Sequence, residues 1–301
     1  MPRDPASNFT ALRTRIAPTP SGFLHLGNGA SFVAAWALAR AAGGAVLLRI
    51  DDLDRARFRM EYLDDIFFTL DWLGLDYDEG PASPQDFLDR FSQWRRMDLY
   101  RQAAGQLKAQ SLLYGCDCSR KRIREYAPGG TYPGFCRHKN INLESPGTAG
   151  RARLPEQCAV QFREWKQPAP RLLNLAECMG DFIVRQKDET PSYQLASLCD
   201  DLHWNINFIV RGTDLLPSTG AQIWLAQHMP GTERFLDAEF FHHPLVSDSS
   251  GEKLSKSAGS TSLAGWRKTG RSPQEVYRQA ALWLGLRAEA GQSPESLAEC
   301  I

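Results

Sequence analysis

The spacing of apolar and polar positions predicts a repeating order of elements near the start of the chain. "RTRIAP" (residues 13–18) reads as a short strand that stops at a proline, and residues 26–42 read as a helix closed by Gly43-Gly44. "AVLLRI" (45–50) then reads as a second buried strand. Strand, loop, helix and strand within about forty residues form a βαβ unit, which predicts a parallel sheet with a right-handed crossover. "EYLDDIFFTLDWLGL" (61–75) and "SQWRRMDLYRQAAGQLKAQ" (92–110) carry the period of amphipathic helices. Between 115 and 150 the pattern dissolves into Gly, Pro, Cys and basic residues, as expected of an insertion without a conventional core. Strands are expected again within 180–186, 206–212 and 240–247. "SPQEVYRQAALWLGL" (272–286) predicts a helix with Ser272 as N-cap, Pro273 as first helical residue and Glu275 completing a capping box.

Composition changes this picture little. A chain of 301 residues can bury a sizeable core in one large domain with insertions, or in two domains. Its longest apolar stretch, Ala30 to Leu48, is broken by Arg40 and Gly43-Gly44, which argues against a membrane span. The first thirteen residues have no apolar core, so no signal peptide is expected. Seven cysteines are an odd, uneven set, and reduced thiols in a cytoplasmic protein are the expectation. The net charge of zero argues against a general nucleic-acid coat but conceals an asymmetry. Residues 51–89 hold twelve Asp/Glu against three Arg, whereas 119–153 hold eight Lys/Arg against two Glu. The second block is a candidate for meeting a phosphate backbone, the alternative being a solvated face.

Two loops carry the candidate chemistry. "PTPSGFLHLGNG" (18–29) leads from the first strand into the first helix, so His25, Gly27 and Asn28 are expected at that helix's N-terminus. Free N–H groups and the helix dipole favour a phosphate there, and glycines allow a nucleotide close to the backbone. "GEKLSKSAGS" (251–260) is a hydrophilic loop with Lys253 and Lys256, whose ammonium groups suit the charge that develops on a pyrophosphate leaving group. Either loop alone is ordinary; together they are specific.

"HLGN" resembles the His-Ile-Gly-His signature, and "KLSKS" the Lys-Met-Ser-Lys-Ser signature, of class I aminoacyl-tRNA synthetases. "RIAPTPSGFLHLGN", "RIDDLD", "PSYQLASLCDD" and "VRGTDLLPST" resemble the glutamyl branch of that family, from about Arg13 to Ser257. The resemblance implies an α/β fold: a Rossmann-like parallel-sheet catalytic domain with an inserted zinc-containing subdomain and a short helical C-terminal region. The expected divisions are 1–114 and 176–258 for the catalytic domain, 115–175 for the insertion and 259–301 for the helical end. Only 44 residues follow Ser257, too few for the anticodon-binding region of full glutamyl-tRNA synthetases. The branch of the family that stops there activates L-glutamate with ATP and Mg²⁺ and attaches it to queuosine in the anticodon stem-loop of tRNA(Asp). That implies a cytoplasmic ligase, expected to be a monomer. The competing expectations are a minimal enzyme charging an acceptor end, and a non-catalytic paralogue.

Glutamate offers two carboxylates and one ammonium, so its pocket needs two cations and an anion. Arg15 and Arg211, both at expected strand ends, are the candidate bidentate cations. The family match adds Tyr193 and the run Arg15, Ile16, Ala17, Pro18 and Thr19 as substrate-contacting residues. Asp51 stands where the glutamyl branch carries Glu for the substrate ammonium; it keeps the charge and loses one methylene of reach. ATP is expected at His25, Gly27, Asn28, Lys253 and Lys256, with His25 and Lys256 catalytic. Cys116, Cys118 and Cys136 lie within 21 residues in a region poor in apolar core, which suits a structural zinc. Chemistry alone nominates His138 as fourth ligand; the resemblance points to Tyr132 through its Tyr-x-x-x-Cys spacing.

Overall fold

The computed structural model describes residues 11–127, 131–246 and 262–301. The first elements are β1 (Arg13–Ile16), α1 (Leu26–Ala41), β2 (Ala45–Leu48), α2 (Met60–Trp72) and the single turn α3 (Pro84–Asp86). They are followed by α4 (Met97–Ala109), β3 (Leu113–Cys116), α5 (Arg120–Tyr126), β4 (Ala149–Ala152), β5 (Ala159–Glu164) and β6 (Arg171–Asn174). Next come the single turn α6 (Leu175–Cys178), β7 (Ile183–Arg185), α7 (Tyr193–His203), β8 (Phe208–Gly212), α8 (Leu216–His228) and β9 (Glu239–His243). Helices α9 (Leu263–Lys268), α10 (Gln274–Trp283) and α11 (Pro294–Cys300) complete the chain.

These elements divide into two compact units. The first comprises Met1–Ser92, Asn207–Val210 and His243–Ile301; the second comprises Gln93–Ile206 and Arg211–His242.

In the first unit β1 and β2 pair in parallel, in register from Arg13 opposite Ala45 to Ile16 opposite Leu48, as the βαβ reading requires. Helix α1 between them is apolar nearly all round, and a helix of that composition is stable only when covered. It is buried from Ala30 to Ala39, except for Ser31, with α10 and α11 packed against it. The helix ends where expected: Gly43 takes φ of +62°, the left-handed conformation that closes a helix cheaply only in glycine.

The N-terminus of α10 differs from expectation. Its first residue is Gln274, Pro273 takes the cap position, and no side chain caps it. Glu275 is instead bonded by Arg271, whose guanidinium lies 3.8 Å from the centroid of the Trp266 ring. A charged partner one turn away outcompetes the Ser272 backbone for that carboxylate.

The second unit is mainly antiparallel. β4 lies between β3 and β7, antiparallel to both. β5 pairs antiparallel with β6 and parallel with β9. The expected parallel sheet is therefore only part of the pairing among the described residues. The reason is local: residues 165–170 form too short a connection between β5 and β6 for a parallel crossover. Asp200, fully buried on α7, accepts hydrogen bonds from Gln93 (2.8 Å), Arg96 (2.8 Å) and the Tyr100 hydroxyl (2.7 Å). A buried carboxylate so satisfied ties α7 to α4 and the turn before it.

Candidate functional site

Strand β1 sets Arg15 in the first unit. The side chain is 4% exposed, and its Nη1 donates to the Val210 carbonyl at 3.3 Å. Beyond the strand, the Arg49 amide donates to the Ile16 carbonyl and the Asp51 amide to the Pro18 carbonyl, each at 2.9 Å. The run from Arg15 to Thr19 thus lies beside residues 49–51, with Pro18 buried and Thr19 exposed. Asp51 is engaged at both oxygens by Arg49, through Nε at 2.8 Å and Nη2 at 2.9 Å. A planar guanidinium meeting both carboxylate oxygens fixes the orientation of the Asp51 side chain.

His25 is the N-cap of α1, with extended backbone, and is half-buried. Its amide donates to Oδ1 of Asn28 at 3.1 Å, so Asn28 stabilises the helix start from within the signature. Gly27 sits close against the histidine: a Cβ there would lie 3.2 Å from Cε1 and 3.3 Å from Nδ1 of His25. A Cβ at position 27 would require the imidazole to give by a few tenths of an ångström. Lys253 and Lys256 lie outside the described residues.

In the second unit Arg211 leaves β8 as a buried cation, 4% exposed. Its Nη2 donates to Thr219 Oγ1 and to Gln222 Oε1, both at 2.7 Å and both on α8. Tyr193 is the first residue of α7 and is 37% exposed, behind the capping hydroxyl of Ser192.

The cysteines converge. The sulfurs of Cys116, Cys118 and Cys136 all lie within 4.8 Å of one another, and all three residues are buried. Among them stands the Tyr132 hydroxyl, 3.4 Å from Cys116 Sγ and 3.7 Å from Cys118 Sγ, while Cys118 and Cys136 are 3.4 Å apart. A tetrahedral zinc with Zn–S of about 2.3 Å places thiolate sulfurs about 3.8 Å apart, so this donor set fits that ion closely. His138 is exposed and is not part of the cluster.

Burial raises the Cys136 thiol to about 11, and it raises the Tyr132 hydroxyl still further with the help of the thiols around it. Burial acts on Cys116 as well, but hydrogen bonds from Tyr132 and Arg151 outweigh it and hold that thiol below its ordinary value. The Arg151 guanidinium also lies 3.6 Å from the centroid of the Tyr132 ring. Asp181 braces the cluster from outside, accepting from the Tyr114 hydroxyl (2.6 Å), Arg137 (2.8 Å) and the Leu154 amide (3.0 Å).

Sequence reasoning missed Arg49, Arg151, Thr219, Gln222 and His242. Only Arg49 carried a local signal, since residues two apart in an extended segment share a face and Arg49 and Asp51 are oppositely charged. Among the described residues no helix is long and apolar enough to cross a membrane.

Comparison with known proteins places this geometry. The catalytic domain of class I tRNA synthetases (E and Q) matches residues 11–299. A glutamyl-Q tRNA(Asp) synthetase of Symbiobacterium thermophilum is 38% identical over 288 residues, covering 90% of this chain and 86% of the relative. Another, from Nitratidesulfovibrio vulgaris, is 34% identical over 295 residues, covering 91% and 87%. A glutamate–tRNA ligase of Paraburkholderia xenovorans is also 34% identical, over 284 residues, 90% of this chain but 57% of the ligase. Among solved structures, a glutamate tRNA ligase from Elizabethkingia meningosepticum in complex with its amino acid matches with a TM-score of 0.74 and 21% identity. That match covers 96% of this chain and 64% of the ligase, and it establishes the fold.

Proposed function

The chain belongs to the family of class I tRNA synthetases for Glu and Gln, and we propose that it activates L-glutamate with ATP and transfers the glutamyl group to queuosine in the anticodon stem-loop of tRNA(Asp). What supports the reading is the family match over residues 11–299 together with glutamyl-Q tRNA(Asp) synthetases 38% and 34% identical to this chain, matched over 86% and 87% of their own length. A planar guanidinium matches a carboxylate in two places at once, which suits Arg15 and Arg211 to the two carboxylates of glutamate.

The glutamate carboxylates are assigned to Arg15 and Arg211, the ammonium to Asp51, and a hydrogen bond to Tyr193. The run from Ile16 to Thr19 supplies further substrate contacts. ATP is assigned to His25, Gly27, Asn28, Lys253 and Lys256. The α-carboxylate attacks the α-phosphorus in line and the bond to pyrophosphate breaks, giving glutamyl-adenylate. A carboxylate is already a nucleophile at neutral pH, so no general base is needed. His25 and Lys256 stabilise charge on the phosphoryl oxygens and the leaving group. Mg²⁺ would neutralise phosphate charge when bound with ATP. A hydroxyl of the queuosine ring then attacks the activated carbonyl, and AMP leaves.

Zinc is assigned to Cys116, Cys118, Tyr132 and Cys136 as a structural ion. Nearby, α5 exposes Arg120, Lys121, Arg122 and Arg124, a row of cations suited to a tRNA backbone. The protein is read as a cytoplasmic monomer.

The test is ATP–pyrophosphate exchange with different amino acids. Glutamate should support exchange at least about a hundredfold better than glutamine, because the arginine that meets the side-chain carboxylate favours an anion over an amide. Equal exchange with glutamine would contradict the assignment of an arginine to the side-chain carboxylate.

A further inference from the structure

Behind Arg211 the second unit buries a chain of hydrogen bonds that the activation chemistry does not use. Thr219 Oγ1, which accepts from Arg211, lies 2.7 Å from Nε2 of His242 on β9. Nδ1 of the same ring lies 2.9 Å from Oε2 of Glu164 at the end of β5. Glu164 also accepts from the His242 amide at 2.8 Å, and Arg171 lies 3.6 Å away. His242 is 7% exposed, Glu164 9%, and Thr219 and Gln222 are fully buried.

The donors and acceptors of this chain fit in one direction. A carboxylate only accepts, so Nδ1 of His242 carries its proton toward Glu164. In the neutral ring Nε2 is then a lone pair, and the Thr219 hydroxyl donates to it at 2.7 Å in preference to the Leu215 carbonyl 3.3 Å away. That turns the hydroxyl's own lone pairs toward Arg211, which can only donate. Burial pushes His242 below its ordinary range, and Arg211 adds to this against the opposing pull of Glu164, which favours the neutral ring. Gln222 Oε1 takes a second hydrogen of the same Arg211 nitrogen. The guanidinium is thus held by two acceptors on α8, one of them oriented from β5 and β9.

We propose that Glu164, His242 and Thr219 are positioning residues that fix the Arg211 guanidinium for the substrate carboxylate, so that affinity for glutamate, and not for ATP, depends on the His242 ring. The inference rests on the assignment of Arg211 to glutamate. A polar chain this buried also serves stability, and the two roles separate in kinetics, because loss of stability alone does not distinguish one substrate from the other.

The experiment measures KM for glutamate, KM for ATP, kcat for pyrophosphate exchange and Tm in five variants. His242→Asn keeps a donor near the Nδ1 position for Glu164 and abandons Thr219. His242→Gln places its amide near the Nε2 position and keeps the bond to Thr219. Thr219→Val is isosteric and removes only the hydroxyl. Both His242→Asn and Thr219→Val should raise the glutamate KM about tenfold, with ATP KM and kcat within about twofold. The double variant should be no worse than either single one, because the two act through one bond. His242→Gln should stay within about threefold of wild type. Arg211→Lys is the control and should raise the glutamate KM by more than about tenfold. If it does while His242→Asn and Thr219→Val leave that KM unchanged or shift both KM values alike, the positioning role is overturned. If Arg211→Lys itself leaves it unchanged, the assignment of Arg211 falls and the inference falls with it.

Discussion

Cys118→Ser is expected to abolish zinc binding and to open the segment between Cys116 and Cys136 to proteolysis. Among the described residues, the buried cluster around the cysteines consists of Tyr114, Cys116, Cys118, Tyr132 and Cys136, with Ile123, Phe135 and Ile141 packed against it. So few apolar groups hold a loop of this length weakly, and an ion bound by the three thiolates and the phenol oxygen would supply the missing free energy. A serine hydroxyl does not ionise near neutral pH and is a poor zinc ligand, so one substitution costs the whole site. Zinc should fall from about one ion per chain to below about 0.2, as read by elemental analysis. Tryptic cleavage among Arg120, Lys121, Arg122 and Arg124 should accelerate at least about tenfold. Tyr132→Phe should weaken zinc by more than about tenfold, whereas His138→Ala should leave it unchanged because His138 is exposed and apart from the sulfurs. Full zinc content in Cys118→Ser, or loss of zinc in His138→Ala, would overturn the ligand set.

Lys256→Ala is expected to slow adenylate formation by about 10²- to 10³-fold, the usual cost of removing one preorganised stabiliser of developing charge. Negative charge moves onto pyrophosphate as the bond to the α-phosphorus breaks. An ammonium group placed there binds the transition state better than the ground state. The loss should therefore appear in kcat, with the ATP KM changed by less than about fivefold. Lys256→Arg should recover part of the rate, since it keeps the charge and alters its geometry. Stopped-flow or quench measurement of glutamyl-adenylate separates this step from transfer. A variant slowed only in transfer to tRNA would move Lys256 out of the activation step.

The first βαβ unit was legible because its punctuation is chemical: Pro18 ends a strand and Gly43 takes a conformation that other residues adopt only at a cost. The cysteine cluster was legible for a related reason, since three thiols within 21 residues have few other uses. The nearness of Tyr132 to the sulfurs was pointed to only by the resemblance, because ligand chemistry alone nominated His138, which is exposed and apart from them. The cap of α10 was misread because a serine–proline–glutamate pattern says nothing of Arg271, which takes the carboxylate. Pairing in the second unit was not legible because strand patterns carry no direction; the short link between β5 and β6 makes that pair antiparallel. The chain from Glu164 to Arg211 left no trace in the sequence. Its central contact joins residues 78 positions apart, and each member alone passes for an ordinary polar residue.

The central claim is the identity of the acceptor, and one measurement tests it most directly. Labelled glutamate, ATP and Mg²⁺ are incubated with the protein and with tRNA(Asp) containing queuosine, tRNA(Asp) lacking it, or tRNA(Glu). The account predicts label on queuosine-containing tRNA(Asp) alone. Label on tRNA(Glu), with none on the modified tRNA(Asp), would contradict it and make the protein an enzyme that charges an acceptor end.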